Sequence, residues 1–285
     1  MTSPIVSAAE LRARLGTVKL LDARPGPEAY AAGHLPGALH ADLDRDLSTA
    51  RAAGHDPARG GRHPLPSAEA FAHQLGVWGV GADDEVVVYD AATGANAASR
   101  LWWMLRSLGH AKVRVLDGGF AAALAVGIVP DARVVDVPVA PDHPQHGWML
   151  PTVNADTVDA RTRNGSPPTV ILDVRSGERF RGEAEPFDPV AGHIPGARNV
   201  PFVDNLDEDG LFKPPAKLRE LYAPLLEGAE RRGAEGMIVH CGSGVTACHT
   251  LLALELADLR GAALYVGSWS EWCRSTRPQA RGPAT

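Results

Sequence analysis

The 285-residue chain alternates short apolar runs with longer stretches in which apolar residues recur at the helical period. The runs at 85–89 and 237–240 have the length and composition of strands that are buried on both faces. Each run is followed by a stretch of helical periodicity, at 97–108 and at 245–259. Such alternation predicts an α/β fold in which helices flank open, mainly parallel sheets.

The same order of motifs occurs twice along the chain. In both halves an apolar run ending in Asp-x-Arg precedes a GHxPGA turn, at 20–38 and at 171–197. The difference in residue number between matching motifs varies by a few residues along the chain, as insertions in loops would cause. We predict two tandem domains, at 1–135 and 151–285, and a semi-extended, proline-rich linker at 136–150. Proline and glycine suit the GHxPGA segments to tight turns, so a structural role is predicted for both.

Composition excludes several classes of protein. Hydrophobic residues make up 45 % and charged residues 22 % of the chain, which are ordinary values for a globular protein. A net charge of −6 argues against binding to nucleic-acid backbones, and no apolar stretch approaches the roughly 20 residues that span a membrane. The first residues lack the features of a signal peptide, and three cysteines are too few for a disulfide framework. We therefore expect a cytoplasmic protein.

The candidate chemistry lies in one segment, His240-Cys-Gly-Ser-Gly-Val-Thr-Ala-Cys-His249, which follows a predicted strand and opens a predicted helix. Ligands of open α/β sheets bind at the carboxyl ends of strands. Gly242 and Gly244 let the backbone curl, and successive N–H groups beside a helix N-terminus stabilise a thiolate. We predict that Cys241 is a catalytic nucleophile that can hold sulfur as a persulfide. The alternative is a buried, inert cysteine.

The first repeat has Asp90 where the second has Cys241. Aspartate is a poor nucleophile toward sulfur, so the first domain is predicted to be catalytically inactive. Cys248, about two helical turns after Cys241, and Cys273 are predicted core residues, and His240 is predicted to be structural. The histidines form no cluster with metal-ligand spacing, so neither a metal nor an organic cofactor is expected.

Together these motifs resemble the tandem-domain rhodanese family of sulfurtransferases over essentially the whole chain. The segments that carry the resemblance are CGSGVTA at 241–247, YVGSWSEW at 265–272, RFRG at 179–182 and both GHxPGA turns. The resemblance implies that a small anionic donor passes its sulfur to Cys241, from which a thiol or cyanide acceptor then takes it. A thioredoxin-like reductant is a further candidate acceptor. Donor-binding positions implied by the loop are Gly242, Gly244, Val245 and Thr246.

The resemblance also bears on the donor. Relatives that prefer thiosulfate carry two basic residues after the cysteine, whereas relatives that use 3-mercaptopyruvate carry Gly and Ser, as here at Gly242 and Ser243. In the latter group an arginine of RFRG binds the donor carboxylate, which implies this role for Arg179. A second arginine usually follows a Glu-Pro pair, but here Phe187 follows it, and Arg181 is a candidate replacement. The resemblance favours 3-mercaptopyruvate, with thiosulfate as the alternative.

A proton relay is implied by the mercaptopyruvate-type relatives, which use a loop serine together with a histidine and an aspartate. The matching residues are Ser243, His63 and Asp44. An aspartate would fix the tautomer of the histidine, and the histidine would polarise the serine. The alternative is that His63 is a polar loop residue and that Asp44 is a carboxylate at a helix start.

Two other functional classes compete with a sulfurtransferase. Phosphatases with a cysteine loop need a Cys-x5-Arg pattern to clamp phosphate, but Ala247 occupies the arginine position. A non-catalytic sulfur-carrier-binding module would have no need of the complete Cys, Gly and Ser set around Cys241. We therefore predict a sulfurtransferase with one active site, on Cys241.

Overall fold

The computed structural model describes residues 3–95, 97–164, 169–226 and 236–283. Contacts between residues divide the chain into two compact units, neither of which is one continuous stretch. Unit 1 comprises Met1–Thr49, Leu65–Met149 and Asp207–Phe212. Unit 2 comprises Ala50–Pro64, Leu150–Leu206 and Lys213–Thr285. An early segment, 50–64, therefore belongs to the unit that contains the second repeat.

Unit 1 alternates strands and helices as the hydrophobic pattern predicts. Its elements are β1 (Ile5–Val6), α1 (Ala8–Ala13), β2 (Lys19–Asp22), α2 (Pro27–Ala32), β3 (Ala38–His40), α3 (Ala68–Val77), β4 (Val86–Tyr89), α4 (Ala98–Ser107), β5 (Val113–Leu116) and α5 (Gly119–Ala125). The strands form one sheet in the order β1-β5-β4-β2-β3, with every pairing parallel. The central strand β4 is buried along its whole length, which explains its unbroken apolar sequence.

Unit 2 repeats this architecture. Its elements are β6 (Thr152–Val153), α6 (Ala155–Asn164), β7 (Val170–Asp173), α7 (Gly177–Arg181), β8 (Arg198–Asn199), a 3-10 turn (Phe202–Asn205), α8 (Pro215–Leu226), β9 (Met237–His240), α9 (Ala247–Leu256), β10 (Ala263–Tyr265) and α10 (Ser268–Trp272). The sheet has the order β6-β10-β9-β7-β8, again with parallel pairings only. The predicted α/β fold class, with two parallel sheets flanked by helices, is confirmed.

A buried ion pair holds the GHxPGA turn of each unit. In unit 2, Nη2 of Arg175 donates to the carboxylate of Asp173 and to the carbonyl of Gly192, both at 2.6 Å. The side chains of the pair are almost fully excluded from water, so each charge needs this partner. These bonds tie the turn to the end of β7, and the structural role of the turns stays a prediction. The same contacts, at the same distances, occur in unit 1 between Arg24, Asp22 and Gly33.

The two tryptophans of the YVGSWSEW segment at 265–272 belong to the core of unit 2. Trp269 and Trp272 are fully buried, and their indole N–H groups donate to the carbonyls of Val190 and Pro278 at 2.9 and 2.8 Å. Cys248 and Cys273 are also buried, as predicted. Within the four described stretches, no helix has the length and apolar character that crossing a bilayer requires.

The predicted linker is extended and packs within unit 1. Residues 137–144 contain neither helix nor strand, and the N–H groups of Ala140 and His143 donate to carbonyls of α3 at 2.9 and 3.1 Å. The linker also contributes one member of a buried histidine pair, since Nε2 of His143 lies 3.0 Å from Nδ1 of His110. Since Nδ1 of His143 donates to the carbonyl of Pro144, the neutral form of the pair uses Nε2 of His143 as the acceptor. The domain boundaries at 135 and 151 remain a prediction.

This histidine pair predicts a pH dependence of stability. Burial, and to a smaller extent the neighbouring His143, lower the pKa of His110 to about 4. An unfolded histidine titrates near pH 6.5, so the unfolded chain binds more protons than the folded chain between about pH 6.5 and pH 4. The stabilisation is fully present above about pH 6.5 and falls by about 2–3 kcal/mol as the pH drops toward 4. Urea unfolding of wild type between pH 7.5 and 4.5 should show the loss, and His110→Gln should reduce it. Identical pH profiles for the two proteins would exclude His110 as its source.

Candidate active site

Cys241 lies at the carboxyl end of the central strand of unit 2. It follows β9, which pairs with β7 on one side and with β10 on the other. The residue is only 3 % exposed, and α9 begins after the loop at Ala247. The thiol therefore occupies the part of a parallel sheet where ligands bind, at a site largely closed to water.

Main-chain contacts from α10 close the loop. The N–H groups of Trp269 and Ser270 donate to the carbonyls of Cys241 and Gly242, at 3.0 and 2.9 Å. The N–H of Cys241 donates in turn to the hydroxyl of Ser268 at 3.2 Å. These bonds fix the backbone on both sides of the cysteine, so the loop is held before any substrate binds.

Gly244 lies where the Cys241 loop comes closest to the main chain of Val266. Its φ is +75°, and a Cβ at this position would overlap the carbonyl oxygen of Val266. Only glycine satisfies both conditions. The neighbouring loop residues Ser243 and Val245 are buried, and Thr246 is half-buried.

The equivalent loop of unit 1 shows which group such a loop accommodates. The carbonyls of Asp90 and Ala91 accept N–H groups from α5 at 2.8 and 3.1 Å, which repeats the closure seen in unit 2. The carboxylate of Asp90 accepts the N–H of Gly94 at 2.9 Å. In unit 1 a negatively charged side chain is therefore bound by the amides of its own loop. The matching position in unit 2 is occupied by Cys241.

Unit 2 brings His63 against the loop. Its Nδ1 lies 2.9 Å from the hydroxyl of Ser243. The segment that carries His63 is anchored on α10, since the N–H of Gly60 donates to Glu271 at 2.9 Å and that of Arg62 donates to Ser270 at 3.0 Å. Two of the three predicted relay residues are thus in hydrogen-bond contact.

Asp44 is the third predicted relay residue. It belongs to unit 1, where it lies in a turn and its carbonyl accepts the hydroxyl of Ser48 at 3.4 Å. Its part in the relay remains a prediction.

Two guanidinium groups lie beside Gly242. A Cβ added there would be 3.0 Å from Nη2 of Arg62 and 3.2 Å from Nη2 of Arg179. Arg179 also bonds the carboxylate of Glu185 at 2.7 Å. Arg181, the candidate replacement for a second carboxylate contact, instead pairs with Glu183 at 2.7 Å on the exposed side of α7. Sequence reasoning missed Arg62. The one local signal was the pair Gly60-Gly61 before it, which indicates that the backbone there lies close to another part of the chain.

Charge is dense around the loop, and most of it is paired. Burial opposes the charge of Arg175, but attraction to Asp173, Glu185 and Cys241 raises the pKa of this guanidinium. His240 is fully buried, and burial lowers its pKa although Asp173 lies 3.9 Å away. A lowered pKa favours the neutral imidazole, and the structural role of His240 stays a prediction. Within the described ranges, no group of His, Cys, Asp or Glu side chains is arranged to hold a metal ion.

Comparison with known proteins places this site in a family. The model of the rhodanese-like domain matches residues 7–125 and 154–275. The chain belongs to the rhodanese family. It is 42 % identical to the "Probable 3-mercaptopyruvate sulfurtransferase" of Pseudomonas aeruginosa, with 99 % of each chain covered. It is 39 % identical to the "Putative thiosulfate sulfurtransferase" of Mycobacterium tuberculosis, with 98 % of each covered.

The fold is similar to that of solved rhodanese-family structures. One is 3-mercaptopyruvate sulfurtransferase from Leishmania major, with a TM-score of 0.79 and 29 % identity, over 95 % of this chain and 74 % of that chain. The predicted family and the predicted class of enzyme, a sulfurtransferase, are confirmed by these relatives.

The close approach at Gly244 predicts a selective effect of one methyl group. Gly244→Ala adds a steric overlap with Val266 to the usual strain of a left-handed alanine, which is about 1–2 kcal/mol. Gly196→Ala is a matched control, because Gly196 has a φ of +77° and open space around its Cα. Urea unfolding should show that Gly244→Ala destabilises the protein by about 1–3 kcal/mol more than Gly196→Ala. Equal losses would mean that the loop is not held against Val266.

Proposed function

We propose that the protein transfers sulfur from 3-mercaptopyruvate, through a persulfide on Cys241, to a thiol or cyanide acceptor. The observation that carries this proposal is the buried Cys241, which has two guanidinium groups beside the next residue and a Ser243–His63 contact close by. A small anion with a transferable sulfur suits this combination of charge and nucleophile. The names of the P. aeruginosa and L. major relatives support the same donor.

The proposed reaction has two transfers. The thiolate of Cys241 attacks the sulfur of 3-mercaptopyruvate, an S–S bond forms, and the carbon–sulfur bond breaks. The electron pair of that bond stays with the carbon as the enolate of pyruvate, which takes up a proton and leaves. An acceptor thiolate then attacks the outer sulfur, becomes a persulfide, and returns Cys241 to its thiolate.

Proton transfer is the proposed role of Ser243 and His63. The hydroxyl and the imidazole lie 2.9 Å apart, a distance at which a proton moves between oxygen and nitrogen. The pair accepts the proton of the donor thiol and returns it to the departing enolate. Asp44 stays the predicted third member of this relay. The remaining loop residues, Gly242, Gly244, Val245 and Thr246, shape the donor site.

Thiosulfate is the second candidate donor. The two guanidiniums beside Gly242 also suit a divalent anion, and the M. tuberculosis relative is named for thiosulfate. Attack on thiosulfate breaks a sulfur–sulfur bond and releases sulfite, so no carbon has to be protonated. The two donors therefore differ in their need for a proton relay.

The proposal includes small-molecule partners and a compartment. The acceptor is a thiol, with a thioredoxin-like dithiol as one candidate, or cyanide in the laboratory assay. Cys241, Cys248 and Cys273 are all free thiols. A reducing cytoplasm, in which they stay reduced, suits the proposed reaction.

Mass spectrometry tests the proposed intermediate. Treatment with 3-mercaptopyruvate in the absence of an acceptor should add about 32 daltons, one sulfur atom, to the peptide containing Cys241. Cys241→Ser should lose both the adduct and all transfer while remaining folded, whereas Cys273→Ser, a buried thiol in the core, should keep both. Transfer by the Cys241→Ser variant would overturn the proposal.

The relay predicts a donor-specific effect of His63. His63→Ala should lower kcat/KM for 3-mercaptopyruvate by about 100-fold, a typical loss for a general acid–base group. The loss for thiosulfate should be much smaller, because no carbon is protonated. Release of pyruvate and of sulfite measures the two reactions in parallel. His73→Ala, at an exposed position of unit 1, serves as the control and should leave both rates unchanged. Equal losses for both donors in His63→Ala would exclude the relay.

A further inference from the structure

The space beside Gly242 is bounded by two arginines from distant parts of the chain. Arg179 comes from α7 and Arg62 from the segment 50–64, and both belong to unit 2. Nη2 of each would lie 3.0–3.2 Å from a Cβ at Gly242. The two groups therefore converge on one point, directly after Cys241 in the sequence.

Arg62 is fixed in position before any ligand binds. Its N–H donates to Ser270, and Gly61 lies so close to the main chain of Gly267 that a Cβ there would overlap its carbonyl. Its Nη1 forms an ion pair with Asp188, whose side chain is completely buried. This leaves Nη2 as the end of the guanidinium that approaches Gly242. A preorganised donor of this kind loses little entropy on binding.

The ion pairs around Arg62 do not cancel its charge. Four guanidiniums and three carboxylates form one connected cluster, and nearby His240 is neutral because burial lowers its pKa. One positive charge is therefore in excess within this cluster, beside the loop. The members of the cluster are Arg62, Arg175, Arg179, Arg274, Asp173, Glu185 and Asp188.

Phe187 follows the Glu-Pro pair, where the resemblance implies a second donor-binding arginine. Its ring is 63 % exposed, and the guanidinium carbons of Arg62 and Arg179 lie 5.6 and 5.1 Å from the ring centroid. Both cations thus lie near the same aromatic ring, which attracts them electrostatically. Arg62 thus supplies a cation close to Phe187, the position at which the resemblance implies a second arginine.

We propose that Arg62 is the second carboxylate-binding residue of the donor site and that it acts as a pair with Arg179. The inference rests on the proposed function. A carboxylate has two oxygens, each of which can accept a charge-assisted hydrogen bond from a guanidinium. In 3-mercaptopyruvate two carbon atoms separate the sulfur from the carboxylate group. This span is comparable to the 3.8 Å or so between consecutive Cα atoms. A carboxylate bound beside Gly242 therefore places the donor sulfur near Cys241.

Paired donors test this role. 1-Mercapto-2-propanone has a methyl group in place of the carboxylate of 3-mercaptopyruvate. Arg62→Gln should lower kcat/KM for 3-mercaptopyruvate by about 10- to 100-fold, mainly through KM, because one charged hydrogen bond is lost. The same variant should change kcat/KM for mercaptopropanone by less than about 3-fold. An equal change for both donors, or no change for either, would overturn the role of Arg62.

Arg274 provides the matched control. It bonds the same buried carboxylate, Asp188, at 2.7 Å, but it is not among the nearest neighbours of a Cβ at Gly242. Arg274→Gln removes the same positive charge from the cluster and should lower stability through Asp188. It should lower the ratio of kcat/KM for the two donors far less than Arg62→Gln does, because Arg274 is not among the groups nearest to Gly242. Equal reductions of the ratio by the two variants would overturn the role of Arg62. If Arg62→Gln fails to fold, Arg62→Lys keeps a charge on Asp188 but loses the planar fork. It should then lower the donor ratio by about 5- to 10-fold, and an unchanged ratio would overturn the inference.

A binding measurement separates this inference from the proposed function. Calorimetry should detect pyruvate binding to Cys241→Ser and binding at least about 10-fold weaker to the Cys241→Ser, Arg62→Gln double variant. If wild type fails to release pyruvate from 3-mercaptopyruvate, the proposed function is wrong, yet the calorimetric difference still reports on Arg62. If wild type is active and both variants bind pyruvate equally, only the role of Arg62 is wrong.

Discussion

The position of the candidate site depends on the contact between the first turn of α10 and the Cys241 loop. Two N–H groups of α10 bind the carbonyls of Cys241 and Gly242, and the main chain at Val266 leaves room only for glycine at position 244. The same short helix anchors the segment 60–63 through Ser270 and Glu271. One element therefore sets both the shape of the loop around the thiol and the groups that face it.

Charge is concentrated beside this loop at an energetic cost that the ion pairs offset. Removing a guanidinium or a carboxylate from water is unfavourable unless a partner replaces the lost hydration. Asp188, Glu185 and Asp173 supply those partners while their own side chains stay buried. In this cluster the arginines outnumber the carboxylates by one, which suits the small anionic donor that we propose. The same arrangement thus serves stability and recognition.

The two repeats separate the requirements of the fold from those of the chemistry. Each unit has the same strand order, the same Asp–Arg clamp on the turn, and the same closure of the loop by the following helix. Unit 1 places Asp90 in its loop, and the loop amides bind that carboxylate. Unit 2 places a thiol there. A fold retained in both units therefore does not depend on the reactive group, and only the second copy combines the loop with Ser243 and His63.

Local sequence signals were enough for the parallel α/β architecture, the internal repeat, the turns and Cys241 as the candidate nucleophile. Each of these follows from neighbouring residues: an apolar period, a Pro-Gly turn, or a cysteine that follows a strand and precedes two glycines. Arg62 was not recognisable in this way, because its role depends on a hydrogen bond to Ser270, 208 residues away in the chain. The same holds for Arg181, which matches the motif but pairs with Glu183 on the surface. Which charged side chains converge on the loop is decided by packing between distant segments, and only the tertiary structure contains that information.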